Sequence, residues 1–105
     1  MKILWTDQAF LRLAEIEAFI ARDNPETAER FVARLIDRAD RLADQPSLGR
    51  TVPELPGSGL RELIEGNYRI VYRVRASTVE ILTVFEGHRR LPVADLGPSP
   101  QGNAD

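Results

Sequence analysis

An α+β fold in the order β-α-α-β-β-β, with a helical hairpin packed on one face of a mostly antiparallel sheet, is what this 105-residue sequence predicts. Three observations carry the prediction. Apolar residues recur at spacings of three and four through residues 7–44, the period of helix faces. They alternate with polar residues through 60–87, the period of strands. Between the two regimes lies "DQPSLGRTVPELPGSG", a proline- and glycine-rich stretch that reads as a loop.

Each element follows in order. "KILWT" (2–6) is a short first strand with Ile3 and Trp5 on one face, and Trp5 is expected in the core. Ala9, Leu13, Ile16 and Ile20 then form one helix face, flanked by Phe10 and Phe19, with Thr6 or Asp7 as N-cap. Asp23-Asn24-Pro25 ends this helix and starts the next: Asn24 caps, Pro25 fits the first position, and Glu26 suits the positive end of the dipole. The second helix, about 25–44, carries an unbroken stripe of Ala28, Phe31, Val32, Leu35, Ile36, Ala39, Leu42 and Ala43. Its other face pairs Glu26 with Arg30 and Asp37 with Arg41 at i,i+4, a solvated face. So short a connection makes the helices an antiparallel hairpin. After the loop come strands at 60–64, 68–75 and 79–87, joined by tight turns at "EGN" and "AST". Residues 1–95 read as a single domain and 96–105, with prolines, glycines and no apolar period, as a flexible tail.

Composition bounds the chemistry. The chain is 43% hydrophobic and 29% charged, the make-up of an ordinary globular protein. It has no cysteine and one histidine, so no disulfide framework, thiolate chemistry, metal site or cofactor is expected. No apolar run approaches the ~18 residues of a membrane span and no signal-like segment opens the chain, so a cytoplasmic location and no membrane partner are expected. The net charge of −2 is uneven: residues 46–92 hold seven arginines against five acids, and the only lysine in the chain is Lys2.

In "YRIVYRVR", Tyr68, Ile70, Tyr72 and Val74 are expected beneath the helices. Arg69, Val71, Arg73 and Arg75 should point to a face left at least partly open. Two readings of this cationic row compete. Cross-strand pairing with Glu80 or Glu86 on the last strand would make it structural. Otherwise Arg61, Arg69, Arg73 and Arg75, with the "HRR" of His88, Arg89 and Arg90, form a surface for an acidic partner. His88 is the one side chain whose ordinary pKa suits acid–base work near neutrality, though a lone histidine beside two arginines reads more simply as a surface contact.

The motifs "LADQPSLGRTVPEL", "LRELIEGNYRIVYRV" and "VEILTVFEGHRRLP" together resemble the RelE/ParE superfamily of bacterial toxins from type II toxin–antitoxin systems. The resemblance covers about residues 2–92 and implies the RelE/ParE-like fold of the same element order. It also implies a cognate antitoxin whose disordered segment folds onto the toxin to form a hetero-oligomer, by family habit a ParD-like protein with a ribbon-helix-helix part. DNA binding would then belong to that partner and not to this acidic chain. RelE-like members are ribosome-dependent mRNA endoribonucleases, and ParE-like members inhibit DNA gyrase. A metal-free nuclease would draw on Arg61, Arg69, Arg73, Glu86 and His88 for phosphate binding and acid–base work. The lysines of RelE-type nucleases are missing from the equivalent loop and strand, and "VFEGHRRLP" and "NP.TAERF" resemble the ParE-like branch. The expected function is therefore ParE-like gyrase inhibition without catalysis, with mRNA cleavage as the alternative, and a member that binds antitoxin but has lost its toxicity as a third possibility.

Overall fold

The computed structural model describes residues 1–97. Strand β1 spans Lys2–Trp5, helix α1 Asp7–Ala21 and helix α2 Pro25–Asp40, which tightens into a 3₁₀ turn at Arg41–Ala43. Strands β2 (Arg50–Thr51), β3 (Arg61–Glu65), β4 (Tyr68–Arg75) and β5 (Thr78–Glu86) follow, then a 3₁₀ turn at Val93–Leu96. The order β1-β5-β4-β3-β2 makes one mixed sheet. Strand β1 runs parallel to β5, and the other pairings are antiparallel. The expected α+β architecture is thus present, with one strand more than expected: β2 lies inside the stretch read as loop.

The local signals act as their chemistry predicts. Thr6 is the N-cap of α1, its hydroxyl accepting from the Ala9 N–H at 3.1 Å. Asn24 caps α2 by accepting from the Thr27 N–H at 3.0 Å, with Pro25 at the first helical position. Both caps satisfy donors that a helix start leaves without partners. Beneath the hairpin lies one core, built on Ala9, Leu13, Phe31, Leu35, Ile70, Tyr72, Ile81 and Val84, with Trp5, Ile16 and Ile20 packed against it. Trp5 is half-buried and stacks on Phe10 at 5.9 Å between ring centres.

A second core corrects the expectation of an open sheet face. Val52, Leu60, Val71, Leu82, Phe85, Leu91 and Leu96 cluster on the side away from the main core, with Leu55 against them. The loop before β3 and the segment after β5 supply the cover. Alternation told correctly which strand residues face away from the helices. It carried no information about long-range cover, because Val52, Leu55, Leu91 and Leu96 sit in aperiodic sequence. Val74 departs in the other direction and is exposed although it shares a face with Tyr72. Leu96, the first residue of the expected tail, is buried, and residues 98–105 lie outside the described residues.

Two details fix the loop on the sheet. The register slips between Val71 and Tyr72, which oppose Thr83 and Ile81, leaving Leu82 of β5 as a bulge residue. The Tyr72 hydroxyl accepts from the Gly49 N–H at 2.9 Å and donates to the Pro46 carbonyl at 2.7 Å. Gly49 must be glycine for this approach: a Cβ there would lie 2.6 Å from the Glu62 carbonyl oxygen and 2.8 Å from the Tyr72 ring.

Candidate functional site

The arginine row is built by the alternation of β4, and the residues around it decide its chemistry. Arg69 is buried, not open to solvent. Its Nε donates to Glu62 Oε1 at 2.8 Å, and its Nη1 and Nη2 donate to the two oxygens of Glu54 at 2.8 and 2.7 Å. Its guanidinium also lies 4.8 Å from the centre of the Phe85 ring. Glu62 opposes Val71 in the β3–β4 ladder, two residues along from Arg69, so the two reach each other diagonally. The other Glu62 oxygen accepts from Arg50 Nε at 2.8 Å, Arg50 being its register partner on β2. One fully buried carboxylate therefore holds two guanidiniums. The bidentate bond from Arg69 holds the Glu54 carboxyl down to about 2, and Glu54 with Glu62 raises the Arg69 pKa.

The remaining members of the row divide by environment. Arg73 pairs with Glu80 directly across the ladder, Nη2 to Oε1 at 2.8 Å, so the cross-strand reading holds for this pair. Arg61 donates from Nη1 to the Gly49 carbonyl at 2.7 Å and braces the loop. Arg75 is exposed at the end of β4, and no carboxylate meets it among the described residues. Glu86 turns to His88 rather than to an arginine. One of its oxygens accepts from the His88 backbone N–H at 2.6 Å and the other lies 3.0 Å from His88 Nδ1. This lowers the Glu86 pKa, chiefly through the His88 side chain. The His88 side chain is 84% exposed. Arg89 and Arg90 are exposed with no carboxylate partner among the described residues.

The structure thus leaves Arg61, Arg69 and Arg73 buried or half-buried, each held by its own partners, and leaves Arg75, His88, Arg89 and Arg90 at the surface. Sequence reasoning missed Glu62, Glu54 and Asp95. Glu62 was within reach, because alternation in "RELIE" puts it on the face opposite Leu63, where the arginines lie. Glu54 sits in aperiodic loop and carried no such signal. Asp95 lies in the segment after β5. It accepts from Arg12 Nε at 2.7 Å and from the Thr83 hydroxyl at 2.9 Å, tying that segment to α1 and β5. Beside this clasp a groove of about 680 Å³ runs between α1 and residues 86–92. Among the described residues there is no group of acids and histidine able to hold a metal ion, and no helix long and apolar enough to cross a membrane.

Comparison with known proteins sets this geometry in a lineage. Residues 3–91 match the family described as ParE toxin of type II toxin-antitoxin system, parDE. The chain is 42% identical over 95 residues to a Sinorhizobium fredii protein named as a toxin, Y4kP, covering 87% of this chain and 93% of that one. It is 34% identical over 89 residues to Toxin RelE2 of Caulobacter vibrioides, covering 84% and 97%. Among solved structures it is similar to a chain of the chromosomal ParDE system of P. aeruginosa, at 26% identity and a TM-score of 0.69 over 82% of this chain and 95% of the other. A YoeB/ParE toxin from Agrobacterium tumefaciens is also similar, at 26% identity and a TM-score of 0.54 over 82% and 98%.

Proposed function

The chain belongs to the ParE family of type II toxin–antitoxin toxins, and from that membership we propose that it arrests growth by binding DNA gyrase rather than by cutting RNA. A toxin of this class implies an antitoxin partner. We take that partner to be ParD-like, with the complex residing in the cytoplasm. The observation that carries the reading is the neutralisation of Arg69 and Arg73 by carboxylates. Metal-free RNA cleavage needs cations aimed at the charge that develops on phosphorus. Here Arg69 has both edges of its guanidinium filled by Glu54 and Glu62, and Arg73 is filled by Glu80. A phosphate approaching Arg69 would meet two carboxylates, and Glu62 has no access to water through which to swing away. The exposed arginines Arg75, Arg89 and Arg90, with His88 beside them, suit contact with an acidic protein surface.

One observation favours nuclease chemistry: the Glu86–His88 pair has the spacing of an acid–base couple. It stands on the surface, and the strand arginines Arg69 and Arg73 are taken by carboxylates. Pulse labelling soon after induction of the toxin without its antitoxin separates the readings. DNA synthesis should fall first while translation continues. Translation falling first would overturn gyrase binding in favour of mRNA cleavage.

A further inference from the structure

We propose that strand β1 is an interface between two copies of this chain, which join their β1 edges antiparallel about a two-fold axis into one continuous sheet. Strand β1 lies at the end of the sheet, with β5 on one side only. The Lys2 N–H donates to the Ser77 carbonyl and the Thr6 N–H to the Ile81 carbonyl, each at 3.1 Å. In a parallel ladder every second residue bonds the neighbouring strand. Lys2, Leu4 and Thr6 are therefore turned to β5, and the N–H and C=O groups of Ile3 and Trp5 are turned outward. Among the described residues no other backbone group bonds these outward groups. Such a row is a template for another strand. The one charge on the strand, Lys2, stands at its start and leaves the middle unguarded. The opposite end of the sheet, β2, is two residues long and too short for the same pairing.

The residues around this edge fit a second copy of themselves. Pairing Ile3 with Trp5 of the second copy, centred on Leu4, gives each outward N–H a carbonyl and each outward carbonyl an N–H. Leu4 then meets Leu4 of the second copy across the axis, on the sheet face away from the helices. That side chain is 41% exposed in the single chain. On the helix face, Phe10 is 56% exposed and stacks on Trp5, so the aromatic pairs of the two copies meet over the joined strands. Ile3 and Trp5 pack against the main core yet stay only half-buried, as residues of an uncovered edge do. The charges agree with the pairing. Lys2 falls opposite Thr6 of the second copy, beside its exposed Asp7. A lone extended peptide would bond the same edge but bring no second Phe10–Trp5 pair to cover the first. The contact is independent of the target that the toxin meets.

The test measures the mass of the full chain by itself in analytical sedimentation, as a function of concentration. It should pass from one chain to two as concentration rises, and the Ile3 and Trp5 amides should exchange more slowly in the dimer. Ile3→Pro deletes an outward N–H without touching the β1–β5 ladder, and should abolish the dimer. Ile3→Ala gives up packing but keeps the N–H, and should dimerise within about threefold of wild type. Leu4→Lys and Leu4→Glu each set like charges across the axis, and each should raise the concentration needed for dimerisation about tenfold or more. An equimolar mixture of these two should dimerise again, because opposite charges then meet at position 4. Ile64→Lys, at an exposed position on β3 with two strands between it and β1, should change nothing. Circular dichroism should be that of wild type throughout. A single-chain mass at every concentration up to about 100 μM overturns the proposal. So does a dimer that survives both Ile3→Pro and Leu4→Lys, or a mixture of the two charged variants that stays monomeric. If the Ile3 and Trp5 amides are protected only when antitoxin is added, the edge belongs to that partner and the second copy is excluded.

Discussion

Glu62, on the second face of the sheet, holds two guanidiniums with one carboxylate. A carboxylate with no exposed side chain is costly to bury, and Arg50 and Arg69 together offset that cost. Glu62→Gln keeps the shape and removes the charge, leaving Arg69 with Glu54 alone. We expect a loss of about 3 kcal/mol in urea unfolding, read as a lower midpoint at unchanged slope. A loss below about 1 kcal/mol would show that the network is only a screened surface pair. Glu54 is the more exposed partner and tolerates more. Its carboxyl is held at about 2, below its ordinary value, so its contribution is present above the ordinary carboxylate range and fades as pH falls toward 2. For the same reason Arg69 reads as a structural clasp, in contrast to the open surface expected from strand alternation.

At the scale of elements, the segment after β5 is held by few anchors: Leu91 and Leu96 in the second core, and the Asp95 clasp. Burial works against the Asp95 charge, yet bonds from Arg12 and Thr83 outweigh it and leave the carboxyl below its ordinary value. A folded-state value below the unfolded one means stability that is present near neutrality and lost as pH falls through the folded value. Asp95→Asn should therefore detach this segment at pH 7, seen as faster amide exchange at residues 91–96 with β3–β5 unchanged. The difference between variant and wild type should shrink in acid. Equal exchange at pH 7 would show that the two leucines suffice. This segment is also one wall of the groove beside α1.

At the scale of the whole molecule, the sheet is covered on both faces, and what remains exposed is distributed rather than gathered into a reaction centre. Arg75 caps one strand end, while His88, Arg89 and Arg90 follow the end of β5. A protein that acts by surface contact needs no catalytic residue, so His88→Ala should leave growth arrest within about threefold of wild type, measured as the decline in colony-forming units after induction. Abolished arrest with retained antitoxin binding, in a toxin whose wild type stops translation before DNA synthesis, would restore the nuclease reading. The sequence by itself determined both helices, four of the five strands and their order, because helical and strand periods, caps and turns are set within a few residues of one another. It also determined which face of β4 carries the arginines, since side chains alternate along any strand. Only the tertiary structure decided what that face meets. The cover comes from Val52, Leu55, Leu91 and Leu96, and the counter-charges from Glu54 and Glu62. These contacts join residues with no periodic relation, and chain folding alone brings them together.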